Sequence, residues 1–323
     1  MERNETLQPP TKIVYVTGCL GFIGFHVALK CLQLGWWVYG IDKVTYASNV
    51  NLLQELEMYN NFKFERTDIN DLERLVQCDY VINTAAETHV DNSIESSDVF
   101  LHSNINGVHH LLKLIETTSG PKPVLLHFST DEVYGDIDEG SFTETQLLKP
   151  SNPYSATKAA ADQLILAWSR THNVPYIIVR PTNNYGIGQY VEKLIPKTIK
   201  YLDLGRKIPL HQNGEPRRTW LHVEDTADAV ITIIEKGSVG EIYNIAGNYE
   251  TSNIDVVQQI VDNMFLHNGD YSQFVDLNYH RPGGDVRYSI DDSKLKALGW
   301  APKRQFKDEL MPIIDYYQAN FVW

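Results

Sequence analysis

Cysteine is scarce in this sequence: Cys19, Cys31 and Cys78 are the three thiols in 323 residues. Scattered and odd in number, they offer neither a disulfide framework nor the paired spacing of a zinc site, and a reducing, cytoplasmic compartment is the expectation. Long apolar runs are also missing. No stretch reaches the ~20 residues that would span a bilayer, so no membrane partner is expected. Met1 to Thr11 is polar with no apolar centre, and reads as a short disordered lead-in rather than a secretory signal. Positive charge is in deficit, with 28 Lys and Arg against 41 Asp and Glu, a net charge of -13. That disfavours nucleic acid and anionic membrane as partners, and leaves any anionic small ligand to local cations and helix N-termini. The 11 histidines show no ligand spacing. His109-His110 falls in a predicted helix, where packed or solvated rings are expected, and no metal is predicted.

What is present is a large apolar fraction, 43%, arranged in short runs. In the first half, β-rich runs alternate with helical patterns, which predicts an α/β protein with a Rossmann-type doubly wound parallel sheet. The predicted strands are Ile13 to Thr17, Trp37 to Ile41, Phe62 to Glu65, Tyr80 to Asn83, Val124 to Phe128 and Tyr176 to Arg180, with a helix from about Phe22 to Leu34. After Pro181 the pattern loosens into loops rich in Gly, Pro and Arg, and Ile242 to Ile245 is a further strand candidate. We therefore expect a dinucleotide-binding domain over 12–182, with about 219–246 returning to it. The rest of 183–323 is expected to be a smaller, mainly substrate-binding region.

Gly18-Cys19-Leu20-Gly21-Phe22-Ile23-Gly24 follows the first strand and opens the first helix. Glycines there let the backbone turn and approach a pyrophosphate, whose charge the helix N-terminus meets. Asp42 ends the second strand, where a carboxylate accepts hydrogen bonds from adenosine ribose hydroxyls and repels a 2′-phosphate. That favours NAD over NADP, although Lys43 stands beside it. Asp68-Ile69 is placed to hold an adenine edge, or Asp68 is a helix N-cap. Asn83-Thr84-Ala85-Ala86 is small and polar, suited to close passage of a cofactor.

Two further strings carry chemistry: Ser129 to Gly135 after the fifth strand, and Tyr154-Ser155-Ala156-Thr157-Lys158 opening a long helical stretch. Tyr154 and Lys158 share a helix face. A free phenol, with pKa ~10, is a poor base at neutral pH. A nearby ammonium and a nicotinamide cation are expected to lower it. Tyr39/Lys43 and Tyr59/Lys63 have the same spacing, but Tyr39 lies on a strand and Tyr59 at the end of a predicted surface helix. Thr130, Asp131 and Glu132 add a hydroxyl and two carboxyls, an extra acid and base that suggest oxidation plus elimination.

These strings together, with Ala85 to Asp91 and Arg180-Pro181-Thr182-Asn183-Asn184-Tyr185-Gly186, resemble the extended short-chain dehydrogenase/reductase superfamily from Lys12 to the C-terminus. Within it the sequence is most similar to the nucleotide-sugar 4,6-dehydratases, the dTDP-glucose enzymes above all, with the UDP-glucose enzymes as the other choice. Thr130-Asp131-Glu132 is the discriminating piece. The resemblance implies an NAD-dependent hydro-lyase that makes a 4-keto-6-deoxy sugar nucleotide in rhamnose-type deoxysugar biosynthesis. A nucleotide-sugar 4-epimerase or decarboxylase is the alternative.

It further implies Tyr154 as base toward the C4 hydroxyl, Thr130 on the C4 oxygen, Lys158 also on the nicotinamide ribose, Glu132 as base at C5 and Asp131 as acid at the C6 hydroxyl. Gly18, Gly21, Phe22, Ile23, Gly24, Asp42, Lys43, Asp68, Ile69, Ala85, Ala86 and Asn184 would contact NAD. Thr88, Asn183, Lys193, Leu194, Arg218, Asn253 and Arg281 would contact the nucleotide-diphosphate glucose, with Arg287 as a weaker candidate. The sequence departs from that pattern at His280, Gly284 and Ile187, and has shorter loops around Cys78 and Ser119. Apolar helical faces near His102 to Leu114 and Asn152 to Trp168 either pack within the subunit or form a homodimer contact.

Overall fold

The computed structural model describes residues 11–265, 270–279 and 284–320. The expected disordered lead-in lies outside them, apart from Thr11, and Arg281 lies outside them too. The strands are β1 Ile13–Thr17, β2 Trp37–Asp42, β3 Phe62–Arg66, β4 Tyr80–Asn83, β5 Val124–Phe128, β6 Tyr176–Pro181, β7 Asn183–Tyr185, β8 Ile208–His211, β9 Arg217–His222, β10 Glu241–Ile245, β11 Tyr249–Ser252 and β12 Val275–Tyr279. Seven of them form one sheet in the order β10-β6-β5-β4-β1-β2-β3, and every pairing is parallel. The α/β Rossmann-type expectation holds.

The apolar runs are nearly continuous because both faces of this sheet are covered. Side chains alternate between the two cores as the strand period requires. Val14, Val16, Ile82, Leu126, Ile177 and Val179 pack with the helices Phe22–Gln33 and Val223–Lys236 on one face. Tyr15, Ile41, Val81, Leu125 and Ile178 pack with the helices Gly107–Glu116 and Pro153–His172 on the other.

The chain runs outward from β1 through β2 to β3, then crosses back to place β4 on the other side of β1. That reversal opens a crevice at the carboxyl ends of β1 and β4, where ligands of such sheets bind. β5 and β6 extend the crevice rim.

The irregular pattern after Pro181 hides a second core. The helices Leu194–Asp203, Asn253–Phe265 and Phe306–Ala319 enclose Ile195, Ile199, Trp220, Val257, Ile260 and Ile314 against the β11-β9-β7 sheet. β8 and β12 make a separate parallel pair. The short edge strands and mixed directions explain why period-two reading found little there. The tail around Arg287 is stitched to this unit and to the loop after β5 through the bridges Arg217↔Arg287 and Phe142↔Ile290.

One element departs from its expected form. The helix anticipated from His102 starts as a π-helical segment, Leu101–Asn106, before continuing as Gly107–Glu116. The wide turn carries the buried Asn104, whose amide accepts from the Glu87 N–H at 2.9 Å and donates to the Glu87 carbonyl at 3.0 Å and to Thr157 at 2.9 Å. It ties the loop after β4 to the helix that bears Tyr154. Among the described residues no helix is long and apolar enough to cross a membrane.

Candidate active site

The glycine turn is built as its spacing requires. Gly18 has φ +71°, and a Cβ there would lie 2.8 Å from the Ala85 nitrogen. Gly24 lets the first helix sit on the strand end, since a Cβ would fall 2.0 Å from the Gly18 carbonyl oxygen. Gly21 precedes the helix as its N-cap and has no side chain to block the cleft it lines. A pyrophosphate fits this cradle, because a helix N-terminus presents unpaired N–H groups and positive potential.

Asp42 stands at one end of the cleft, its carboxylate accepting from Leu20 N–H at 3.0 Å, Val44 N–H at 2.8 Å and the Ser48 hydroxyl at 2.9 Å. Lys43 is turned away from a free phosphate role: it pairs with Asp68 at 3.3 Å and donates to Ser103 at 3.0 Å. Asp68 caps no helix. It accepts from Asn70 instead, and although burial opposes it, Asn70 and Lys43 hold its carboxyl below the usual range. Ile69, Ala85 and Ala86 line the same compartment.

The cleft continues past Gly21 and Ala86 into a middle compartment that gathers Phe22, Ile23, Gly24, Thr88, Thr130, Asp131, Glu132, Tyr154, Asn183 and Asn184. Thr130 opens the short helical turn Asp131–Tyr134 as its cap, accepting from the Glu132 N–H at 3.3 Å and donating to Asp131 at 3.2 Å. The turn sends the two neighbouring carboxyls into different surroundings. Asp131 is buried, and its second oxygen has no protein hydrogen-bond partner. Burial, then the charge of Glu132, push its pKa up to about 7. Burial also raises Glu132, but Arg218 and Asn152 favour its charged form. An acid and a base can therefore stand side by side.

Tyr154 is held by a strong helix start. Asn152 caps the helix in a reciprocal box with Ser155, and Pro153 fills the first helical position. The expected lowering of the phenol pKa is not produced by the protein alone. Burial, then the negative charge of Glu132, raise it, and Thr130 opposes through a hydrogen bond. The reason is where the ammonium sits: Lys158 is buried one turn on and donates to the Phe128 carbonyl at 2.5 Å. Burial lowers the Lys158 pKa to about 8, against the pull of Asp162.

The outer compartment shares Thr88, Glu132, Asn183 and Lys193 with the middle one and adds Leu194, Arg218, Trp220 and Asn253. Lys193 donates to Thr88 at 3.1 Å and pairs with Glu192 at 3.1 Å. Leu194 contributes position rather than a side-chain function, because it is the first residue of the helix Leu194–Asp203. The Asn184 amide is engaged by Thr226 at 2.6 Å and Thr182 at 2.9 Å, so it shapes the wall. Arg287 does not line the cleft compartments. It forks onto Glu250, 2.9 Å to each carboxylate oxygen.

Sequence reading gave little weight to three residues that the fold brings to Glu132. Asn152 approaches it at 3.5 Å and the Tyr288 hydroxyl at 3.4 Å. Asp285 accepts from both Tyr288 and Ser151. Arg218 stacks on the Tyr288 ring at 4.3 Å and donates to the Asp285 carbonyl at 3.1 Å. An Asn directly before Pro153 is a helix-cap signal that could have marked Asn152, but nothing local marks Asp285, which lies 134 residues from Ser151.

Proteins of similar sequence match nearly the whole chain. The dTDP-glucose 4,6-dehydratase of Haemophilus influenzae is 40% identical, over 95% of this chain and 98% of its own. A trifunctional Arabidopsis thaliana protein that includes a UDP-glucose 4,6-dehydratase is 39% identical over 97% of this chain, which spans 48% of that larger protein. The crystal structure of dTDP-glucose 4,6-dehydratase from Streptomyces venezuelae, solved with NAD bound, superposes with a TM-score of 0.90 at 35% identity, covering 95% of this chain and 97% of that one. Residues 15–311 match the family described as GDP-mannose 4,6 dehydratase. A glycine cradle at a sheet reversal, a Tyr-Lys helix and a Thr-Asp-Glu turn thus meet in one cleft, and the chain belongs to the GDP-mannose 4,6 dehydratase family.

Proposed function

We propose that this chain is an NAD-dependent nucleotide-sugar 4,6-dehydratase. It converts dTDP-glucose or UDP-glucose to the 4-keto-6-deoxy sugar nucleotide plus water, a step of deoxysugar synthesis. The observation that carries the reading is the Thr130-Asp131-Glu132 turn beside Tyr154. Its two carboxyls differ in environment, and Asp131, one oxygen of which has no protein hydrogen-bond partner, lines the cleft.

NAD would lie from Asp42 to Tyr154, its adenosine end among Asp42, Asp68 and Ile69, its pyrophosphate on Gly21 to Gly24. Residues 12–182 with about 219–246 carry this half of the work, and the remainder of 183–323 holds most of the sugar nucleotide. The chemistry that bound NAD supplies is reversible hydride acceptance, from C4 first and back to C6 last.

The residues do the proton work. Tyr154 takes the C4 hydroxyl proton while Thr130 holds the C4 oxygen, and Lys158 supplies positive charge from below. The ketone at C4 acidifies C5, and Glu132 removes that proton. Asp131 protonates the departing C6 hydroxyl, which leaves as water, and Glu132 returns its proton to C5. Lys193, Arg218 and the N-terminus opening at Leu194 meet the diphosphate, since two cations and a helix dipole offset its charge. Thr88, Asn183 and Asn253 bind polar groups of the sugar nucleotide, with Arg281. The enzyme works as a homodimer in the cytoplasm.

The test is mass analysis of products after incubating the purified protein separately with dTDP-glucose and UDP-glucose, without added NAD. A product lighter by one water is expected, and the faster substrate identifies the base. An isomer of unchanged mass would indicate the epimerase, and loss of carbon dioxide from the glucuronate analogue the decarboxylase.

A further inference from the structure

Among the buried titratable side chains that the proton work above leaves without a task is His127 of β5. Its ring closes a polar chain through the middle of the sheet. The Thr17 hydroxyl meets one end of the Asn83 amide at 2.6 Å. The other end of that amide meets Nδ1 of His127 at 3.0 Å. Nε2 of the ring faces Nζ of Lys158 at 3.5 Å. The chain follows from register, because Thr17 is paired with Asn83 across β1 and β4, and Asn83 with His127 across β4 and β5.

Charge decides which way this chain donates. Burial, then the positive charges of Lys158 and Arg180, keep the imidazole neutral, so it carries one ring proton. With the Asn83 nitrogen toward Nδ1, that proton is on Nε2, and two donors confront each other at Lys158. Turning the amide end for end removes the conflict. The amide oxygen then accepts from Nδ1–H, Nε2 accepts from the ammonium, and the amide nitrogen donates to the Thr17 hydroxyl. The two ends of an amide occupy equivalent places, so the turn keeps Asn83 within reach of Thr17 and of His127, and it reverses the first bond so that the Thr17 hydroxyl accepts instead of donating.

We propose that His127 is a positioning residue for Lys158: in its Nδ1–H tautomer, set by Asn83 and Thr17, it accepts from the ammonium and with the Phe128 carbonyl fixes Nζ beneath the Tyr154 helix turn. The proposal rests on the roles of Tyr154 and Lys158 given above. The other charged groups around Lys158 do not replace this acceptor. Asp162, one turn on, is tied to Arg180 of β6 at 2.9 Å and to Ser129 at 3.0 Å. Asp131 and Glu132 raise Tyr154 rather than hold Lys158. A buried ammonium with one acceptor fewer gives ground to its neutral form, and Tyr154 then loses the charge that favours its phenolate.

Nitrogen NMR of the histidine-labelled holoenzyme tests this directly, with the His127 signals assigned by their loss in His127→Gln. At neutral pH the expected pattern is a protonated Nδ1 and an unprotonated Nε2. A protonated Nε2, in either the other tautomer or the imidazolium, overturns the proposal. Kinetics give the second readout. His127→Leu keeps the bulk and removes the acceptor, so kcat is expected to fall by about tenfold or more, with KM within about twofold. His127→Gln, whose amide oxygen reaches the Nε2 position, is expected to recover most of kcat. A folded, NAD-retaining His127→Leu protein with wild-type kcat overturns the proposal. If the wild-type protein shows the expected tautomer but dehydrates neither nucleotide sugar, the functional reading fails and the positioning contact stands.

Discussion

A carboxyl that gives a proton acts only while it holds one. The Asp131 pKa, pushed up to about 7 by burial and the neighbouring Glu132, places its contribution below that pH, and the contribution is lost as pH rises through it. As the proposed base, Glu132 would act in the opposite sense. Its raised pKa sets an acid limb below which the base is protonated and idle. We expect a bell-shaped kcat profile with its alkaline limb near Asp131's pKa. Asp131→Asn is expected to lower kcat by about 10²–10⁴-fold with little change in KM, and to remove that limb. Wild-type alkaline behaviour in the variant would assign the leaving-group proton to another residue. The Tyr154 phenol tells a complementary story, since its burial beside two carboxyls disfavours ionisation. Positive charge from Lys158 and from the nicotinamide has to outweigh that.

The elements hold these groups through backbone contacts that tolerate little change. A Cβ on Gly24 would meet the Gly18 carbonyl oxygen at 2.0 Å and the Thr84 hydroxyl at 2.5 Å, and the first is backbone that cannot swing aside. Gly24→Ala is therefore expected to destabilise the fold by about 1–3 kcal/mol through overpacking. NAD should be lost along with that stability. Gly21 differs, because the contact found for its Cβ is the Gly18 oxygen at 3.2 Å. Gly21→Ala should cost the cofactor-free protein clearly less stability than Gly24→Ala and still reduce bound NAD, because Gly21 lines the cleft. Melting curves and the NAD released on denaturation check both. Equal loss of stability in the two variants would contradict this division of roles.

At the scale of the molecule, the site is assembled between two cores. The β1–β6 crevice supplies the glycine turn and the proposed reacting groups. The second core brings Arg218, Trp220 and Asn253, and the tail stitched across it brings Asp285 and Tyr288. The surface over the helices near Tyr154 is open: Val99 and Leu101 are 54% and 44% exposed, next to the Asn104 turn. A second copy covering this face would also brace the helix that carries Tyr154. Sedimentation of the wild-type protein is expected to give the mass of two chains, and Leu101→Arg the mass of one with reduced kcat. A wild-type monomer at full activity would exclude the dimer.

Much of the large sheet could be read from the chain itself. Short runs bounded by Gly and polar residues set β1 to β6 within a residue or so, and in all of them but the exposed edge strand β3 burial on both faces leaves little freedom of composition. The glycine turn and the strings around Asp131 and Tyr154 were legible for the same reason: their chemistry sits in contiguous residues. The second core was not, since its strands are short and its apolar helical faces are interrupted by loops. Nor was the surrounding of Glu132, because Asn152, Asp285 and Tyr288 meet it only after long-range closure. Sequence alone determined the kinds of groups available and their order along the strands. Tertiary structure alone decided which charges face each other, that Lys43 is tied to Asp68 and Arg287 to Glu250, and that Lys158 points at His127. Those outcomes depend on burial and distance, and a linear pattern carries neither.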